Sequence, residues 1–179
     1  MKDHRLARFI RRGGIIAYPT ESCFGIGCDP KNKKAINKII KLKKRLRNKN
    51  FIIIGSSIKQ FNSFINPLND ANNEKLFSKW PGPHTWLVNV NNQCSNWLKS
   101  NSRIAIRIPS FSRCQDLVKS IDMAITSSSL NLSGKIPLKN YRDVCRFLPN
   151  QVKLIGGRIG KNKKPSVIQD FKTNNIIRS

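Results

Sequence analysis

Acidic residues are scarce in this chain. Only 9 of its 179 residues are Asp or Glu, whereas 34 are Lys or Arg, so the formal net charge at pH 7 is +25. A surplus of this size favours polyanionic partners, ATP and RNA among them. An alternative explanation stays open. The chain also contains 20 asparagines, and nucleotide-composition drift in a genome enriches lysine, asparagine and isoleucine together.

Long hydrophobic runs and paired cysteines are also missing. No stretch reaches the length of a membrane span, and the opening segment MKDHRLARFIRR lacks the apolar centre of a signal peptide. We therefore expect a cytoplasmic protein that makes no contact with a membrane. The five cysteines form no CxxC pair and no cluster with histidine, which argues against a disulfide framework and against a zinc site. They are Cys23, Cys28, Cys94, Cys114 and Cys145.

The glycine fingerprints of common nucleotide-binding proteins are absent as well. Gly25 and Gly27 lack the third glycine of the dinucleotide pattern, and no GK[ST] sequence occurs. The stretch 15–29, IIAYPTESCFGIGCD, instead predicts a buried strand, three polar residues, a glycine turn and a helix capped by Asp29. Ligands of α/β sheets bind where strands end, so this loop is a candidate site. A loop without a ligand is the alternative.

Apolar runs of strand length alternate along the chain with amphipathic runs of helical length. Strands are predicted at residues 15–18, 51–54, 84–90, 103–108, 123–125, 152–155, 167–168 and 176–177. Helices are predicted at residues 3–12, from residue 30 onward, at 57–64, 74–80, 110–120 and 140–148, with a loop at 66–73. The alternation is uneven, so we expect an α/β (α+β) fold. It would be one domain, residues 1–179, with a twisted mixed β-sheet flanked by helices.

Polar clusters stand at three predicted strand ends, namely residues 20–22, 43–49 and 127–131. A triphosphate needs cations and hydroxyl or amide donors that converge from several segments. Lys43 and Arg45 could supply the cations, and Ser129 and Asn131 could bind phosphate or sugar oxygens. Each cluster also has a simpler explanation, because basic runs are usually solvated helix faces and serine-rich strand ends are usually turns.

Six motifs, taken in order, resemble the YrdC-like family of threonylcarbamoyl-AMP synthases in its short, single-domain bacterial form. They are YPTESCFGIGCD at 18–29, KKR at 43–45 with Lys49 after it, WPGPHT at 80–85, AIRIP at 105–109, SLNLSG at 129–134 and PSVIQD at 165–170. The chain departs from the family pattern at Leu46, Asn50 and Leu130. The resemblance implies a YrdC-like fold with a concave basic cavity.

The resemblance also implies an activity. The family condenses L-threonine, bicarbonate and ATP into threonylcarbamoyl-adenylate and pyrophosphate, for the modification of an adenosine beside the tRNA anticodon. By analogy the catalytic residues are Lys43 and Arg45. The implied ATP-binding residues are Lys43, Arg45, Lys49, Ser129, Asn131 and Arg178. The implied threonine-binding residues are Thr20, Arg107, Ser127 and Ser166.

The expected cofactor is Mg²⁺ carried with ATP, with no metal ligated by the protein. Expected partners are the three substrates, downstream threonylcarbamoyl-transfer proteins, and tRNA or another RNA. Two other functions remain open on the sequence. One is a non-enzymatic RNA-binding or ribosome-maturation factor. The positive charge favours this function, but the sequence contains no RNP-like or KH motif. The other is a carbamoyl-transfer domain of the kind found in larger hydrogenase-maturation proteins.

Overall fold

The computed structural model describes residues 2–46, 51–162 and 164–179. In these ranges the chain forms one nine-stranded sheet with five α-helices beside it. The strands are β1 Ile15–Pro19, β2 Phe24–Gly27, β3 Ile52–Ile54, β4 His84–Asn89, β5 Arg103–Arg107, β6 Ile125–Ser129, β7 Val152–Leu154, β8 Val167–Asp170 and β9 Ile176–Arg178. The helices are α1 His4–Arg11, α2 Lys33–Lys43, α3 Asp70–Phe77, α4 Ser112–Ser120 and α5 Tyr141–Phe147.

The sheet is mixed, as the sequence predicted. Its strand order is β7-β1-β2-β6-β3-β5-β4-β8-β9. Three neighbouring pairs, β1 with β7, β3 with β5 and β4 with β8, run parallel, and the other five pairs are antiparallel. The strands β6, β3 and β5 are therefore neighbours in the middle of the sheet, although they lie far apart in sequence.

Two hydrophobic clusters pack against opposite faces of the sheet. Helices α2, α3 and α5 cover one face, and α1 and α4 cover part of the other. Side chains alternate along β5, so Ile104 and Ile106 enter the first cluster while Arg103 and Arg107 point to the opposite face. The alternation of charged or small residues with isoleucine in RIAIRI, residues 103–108, explains this split.

The glycines after β1 lie in a strand, and the predicted glycine turn is therefore wrong. Gly25 and Gly27 belong to β2, which pairs with β1 in an antiparallel hairpin. A Cβ atom at Gly27 would lie 2.0 Å from the carbonyl oxygen of Thr126 on β6. Glycine is needed there because the neighbouring backbone passes so close. Pro19 also pairs within β1, opposite Phe24.

Two helices begin at positions other than those predicted. Asn32, not Asp29, caps α2, because its side-chain oxygen accepts a hydrogen bond from the Ala35 amide at 3.0 Å. Helix α3 begins at Asp70 with Asn69 as its cap, so half of the predicted loop 66–73 is helical. Asparagine is a strong cap as well as a loop former, and the loop interpretation overlooked the first property.

The described helices include none with the length and apolar character needed to cross a membrane. All five cysteines are free thiols, and four of them are buried. The absence of a disulfide framework agrees with the scattered cysteine pattern.

Candidate active site

A cavity of about 450 Å³ opens on the sheet face that carries Arg103 and Arg107. Its walls come from the loop after β1, from β3, β5 and β6, and from the C-terminal segment around β8 and β9. This volume suits a small molecule or cofactor. Seven residues of the predicted sites line it, namely Thr20, Arg45, Arg107, Ser127, Ser129, Ser166 and Arg178.

The described lining is strongly basic. It contains five cations and a single carboxylate, that of Glu21; the cations are Arg45, Arg103, Arg107, Lys164 and Arg178. Cations that converge from separate segments inside a concave, partly desolvated site attract polyanions more strongly than cations on an open surface. The cavity is therefore suited to a ligand that carries several negative charges.

Arg107 is the most constrained of these cations. Its Nε donates to the carbonyl oxygen of Gly82 at 2.8 Å, and its Nη2 donates to Glu21 Oε1 at 2.5 Å. Burial lowers the pKa of Arg107, and the nearby Glu21 opposes that effect; the guanidinium still stays charged at neutral pH. The WPGP motif thus orients an arginine by presenting a backbone carbonyl to it.

Two hydroxyl groups, those of Ser127 and Thr20, line the same cavity as Arg107. Ser127 Oγ accepts from the buried Tyr18 hydroxyl at 2.8 Å, so its own hydrogen remains available as a donor. Thr20 Oγ1 donates to the Cys23 carbonyl at 2.7 Å. Burial raises the pKa of Tyr18 well above its ordinary value, so its hydroxyl remains a donor across the working pH range.

The C-terminal motif contributes Ser166 and Arg178. Ser166 Oγ lies 2.8 Å from the buried Thr85 hydroxyl, which fixes the serine side chain. Arg178 Nη2 donates to the Ser166 carbonyl at 2.7 Å and to its Oγ at 3.1 Å. One predicted threonine-binding residue and one predicted ATP-binding residue are therefore in direct contact at this wall.

Arg45 lies just beyond the C-terminus of α2. Lys44 takes a left-handed conformation, with φ of 48°, and the Arg45 amide then donates to the Ile40 carbonyl at 3.0 Å. This pattern ends a helix sharply and fixes the position of the next residue. The Arg45 guanidinium lies 5.0 Å from the centre of the Phe51 ring. Burial lowers its pKa, yet an arginine remains charged.

Lys43 lies outside the cavity lining and is only 2% exposed. Its Nζ donates to the backbone carbonyls of Ser129 and Asn131, the latter at 2.8 Å, and to Asn131 Oδ1 at 3.0 Å. An ammonium group has three hydrogens, and these three acceptors match that number. Burial lowers the pKa of Lys43 to about 8, and the positive charge of Arg45 adds to the effect.

Asn131 is likewise engaged with the protein. Its Oδ1 also accepts from Ser129 Oγ at 2.7 Å, and its Nδ2 donates to the carbonyls of Leu132 and Lys135 at 2.8 and 2.6 Å. Lys43 and Asn131 therefore hold the loop that presents Ser129 to the cavity. Of the predicted site residues in the described ranges, these two are the ones that do not line it.

Four further residues that belong to or follow the sequence motifs have a bearing on the site. Lys49 lies outside the described residues, so its predicted role stays a prediction. Leu130 is fully buried in the hydrophobic cluster, so its side chain takes no space from the cavity. His84 begins β4 and lies outside the lining. Sequence reasoning missed Glu21 as a site residue, although it is the middle residue of the polar triplet after β1.

The described residues contain no group of three or more His, Cys, Asp or Glu side chains that could hold a metal ion. Glu21 is the one acid of the described cavity wall, and its carboxylate is engaged by Arg107.

The geometry defines a class of protein: a mixed α/β domain with a basic small-molecule cavity on one face of its sheet. Residues 8–179 match the family model Sua5/YciO/YrdC, which is described as "Telomere recombination". A protein of Methylobacillus flagellatus named threonylcarbamoyl-AMP synthase is 38% identical over 179 residues, covering 99% of each chain. A protein of the same name from Wigglesworthia glossinidia brevipalpis is 40% identical over 184 residues, covering 99% of this chain and 95% of the relative.

Solved structures show the same fold. E. coli YciO superposes with a TM-score of 0.82 at 23% identity, over 98% of this chain and 87% of YciO. P. abyssi Sua5 complexed with L-threonine gives a TM-score of 0.79 at 23% identity; the match covers 93% of this chain and 50% of that protein, so the chain spans half of its length. The chain belongs to the Sua5/YciO/YrdC family. The family and fold that the six motifs predicted are confirmed.

Proposed function

We propose that this protein is a threonylcarbamoyl-AMP synthase, a nucleotidyltransferase that condenses L-threonine, bicarbonate and ATP. The observation that carries the proposal is the cavity, whose described lining contains five cations, several fixed hydroxyl groups and a single carboxylate. Relatives matched along nearly their whole length bear that enzyme name. The predicted function and enzyme class are those of these relatives.

The threonine subsite centres on Arg107. Its guanidinium is fixed by Gly82 and Glu21, which prepares it to bind the carboxylate of an amino acid. Ser127 and Ser166 line the same cavity, and their hydroxyl groups are held by Tyr18 and Thr85. Thr20 lies beside Gly25, where a Cβ atom would come within 2.9 Å of its methyl group, so this corner of the cavity is narrow. A narrow apolar corner suits the methyl group of threonine.

The nucleotide subsite lies between Arg45, Ser129 and Arg178. Arg45 offers a planar fork that can engage two phosphate oxygens at once. Ser129 adds a hydroxyl group on a loop that Lys43 and Asn131 hold in place. We assign the effect of Lys43 on catalysis to this support of the loop. Lys49 is expected to add a further cation.

The reaction needs position and charge more than a covalent nucleophile. The amino group of threonine and bicarbonate give a carbamate, with loss of water. A carbamate oxygen then attacks the α-phosphorus of ATP, the bond to the bridging oxygen breaks, and pyrophosphate leaves. Fixed cations stabilise the negative charge on the phosphate oxygens, and positioning supplies most of the remaining acceleration. Mg²⁺ carried with ATP would neutralise part of the phosphate charge as a Lewis acid.

The test is release of pyrophosphate from ATP and Mg²⁺, with threonine and bicarbonate each omitted in turn. We expect release that requires both, together with a product of the mass of threonylcarbamoyl-adenylate. Release that proceeds equally without threonine, or no release under any condition, contradicts the proposal.

An RNA contact has its own structural support. A second cavity, also of about 450 Å³, lies beside α1 and the two glycines that precede β1. Its described lining carries four cations and no acid, namely Arg5, Arg8, Arg12 and Lys38. Lys38 also belongs to the lysine-rich face of α2. We propose that tRNA phosphates bind this groove. We place the protein in the cytoplasm, where downstream threonylcarbamoyl-transfer proteins would take the product.

A further inference from the structure

Two arginines of β5 are paired with carboxylates, and both pairs border the main cavity. Arg107 contacts Glu21, and Arg103 contacts Asp170. The side chains of Arg107 and Glu21 are 11% and 12% exposed, and that of Asp170 is 3% exposed. Charged groups this well shielded from water require partners. The hydrogen-bond partners of each carboxylate therefore indicate whether it can still bind a ligand.

Asp170 is held by the protein through both of its carboxylate oxygens. Its Oδ1 accepts from the amides of Lys172 and Thr173 at 2.9 and 2.8 Å, and its Oδ2 accepts from Arg103. It closes the turn between β8 and β9. The backbone hydrogen bond from Thr173 lowers its pKa, and Arg103 adds to the effect. Both oxygens of this buried carboxylate are already engaged by the protein, and Asp170 does not line the cavity, so it is a structural group.

The carboxylate of Glu21 can accept further hydrogen bonds. Its Oε1 accepts from Arg107, and Oε2 has no hydrogen-bond partner in the described part of the chain. Glu21 lines the cavity whereas Asp170 does not. A carboxylate can accept about four hydrogen bonds, so Glu21 can still bind a cationic group that enters the cavity.

The backbone around Glu21 is fixed by the loop between β7 and β8. The Glu21 carbonyl accepts from the Asn162 amide at 3.0 Å, and the Thr20 carbonyl accepts from the Gly160 amide at 2.8 Å. A Cβ atom at Gly160 would lie 2.6 Å from the Glu21 carbonyl oxygen, so the two segments touch closely. The carboxylate therefore starts from a rigid backbone, which lowers the entropy cost of using it to bind a ligand.

We propose that Glu21 binds the ammonium group of the amino-acid substrate while Arg107 binds its carboxylate. A free amino acid carries one charge of each sign a few ångströms apart, and Arg107 and Glu21 present the two opposite charges side by side. The competing explanation is that Glu21 only orients Arg107. The inference rests on the proposed function, because it assigns the amino-acid end of that cavity.

The test is binding without ATP, measured by calorimetry on the wild type, Glu21→Gln and Asp170→Asn. The ligands are L-threonine and 3-hydroxybutyrate, which keeps the carboxylate and hydroxyl group but lacks the ammonium group. We expect Glu21→Gln to weaken threonine about 10- to 100-fold, the range of a lost charge-assisted hydrogen bond. It should leave 3-hydroxybutyrate within about 3-fold of the wild type, because Arg107 remains. Asp170→Asn is the matched control and should leave the preference for threonine unchanged.

The outcomes separate the explanations. If Glu21→Gln weakens both ligands by the same factor, the glutamate acts only through Arg107 and the inference is overturned. If threonine binding does not change, it is overturned as well. If the wild type binds neither ligand, this inference fails, and the pyrophosphate-release assay decides separately whether the proposed function stands. Circular dichroism on each variant checks that the fold is kept. Threonine methyl ester keeps the ammonium group but lacks the carboxylate charge, so Glu21→Gln should still weaken its binding.

Discussion

Lys43 and Arg45 are two residues apart in one motif, yet they lie in different regions of the molecule. Lys43 is inside the wall, where its ammonium group is saturated by oxygens of the Ser129–Asn131 loop. Arg45 is past the helix end and faces the cavity. The reason is local, because the left-handed Lys44 between them reverses the direction of the chain. One motif thus supplies both a support for the cavity wall and a cation that lines the cavity.

The first and largest expected effect comes from Arg45→Ala, which removes the cavity-facing member. Loss of one preorganised donor at a site of developing charge costs about 10²–10³ in rate. Stability should fall by no more than about 2 kcal/mol, since Arg45 is partly buried and a partly buried cation at a helix end contributes up to that amount. Threonine-dependent pyrophosphate release and urea unfolding measure the two quantities. Arg45→Lys should remain impaired, because an ammonium group cannot copy the planar fork.

If folded Arg45→Ala turns over at near the wild-type rate, Arg45 does not contact the phosphates. That result would contradict the functional difference proposed between Arg45 and Lys43.

The second effect comes from Lys43→Met, which removes the wall member and keeps most of its apolar stem. Carbonyl oxygens of Ser129 and Asn131 would lose their donor, and a buried group left without a partner costs about 1–3 kcal/mol. We therefore expect the free energy of unfolding to fall by about 2–4 kcal/mol, measured by urea denaturation. Equal stability of Lys43→Met and Arg45→Ala would contradict the comparison.

A pH series sharpens the same contrast. The pKa of Lys43 is about 8 in the folded protein, below its ordinary value of 10.5. Between these values the unfolded chain holds more protons at this site than the folded chain does, so this group makes the folded state more stable as pH rises through the window. The stability difference between wild type and Lys43→Met should therefore widen from pH 8 to 10, in favour of the wild type. A constant or shrinking difference would show that Lys43 has no lowered pKa.

A third prediction concerns the amino acid itself. Thr20 narrows one corner of the cavity, and a methyl group in such a pocket is worth about 1–3 kcal/mol of discrimination. Serine should be a poor but measurable substrate, with kcat/KM about 10- to 200-fold below that of threonine. Equal values of kcat/KM for the two amino acids would argue against the pocket.

The smallest effect on turnover is expected at the groove beside α1. Reversal of charge at Arg8 and Lys38 should weaken tRNA retention and leave pyrophosphate release unchanged. The affinity of the wild type should fall with salt by a log–log slope of roughly −0.7 to −0.9 per phosphate contacted. If the reversals change neither property, compositional drift explains the charge of this surface better than RNA binding does.

The strands of the sheet were largely predictable, and the contacts within the site were not. Alternation in RIAIRI identified the face of β5, because a strand has a period of two. The hairpin strand with Gly25 and Gly27 was not predicted. Glycine is required at Gly27 because β6, which is distant in sequence, passes close to it. The same reason explains Lys43: its burial depends on a loop 86 to 88 residues away.

The central claim is that threonine and ATP meet in the cavity between Arg107 and Arg45. The most direct measurement is a crystal structure with L-threonine and a non-hydrolysable ATP analogue. The account predicts the threonine carboxylate on Arg107, its ammonium group on Glu21, and phosphate oxygens on Arg45. Ligands bound elsewhere, or a phosphate group in place of threonine at Arg107, would contradict it.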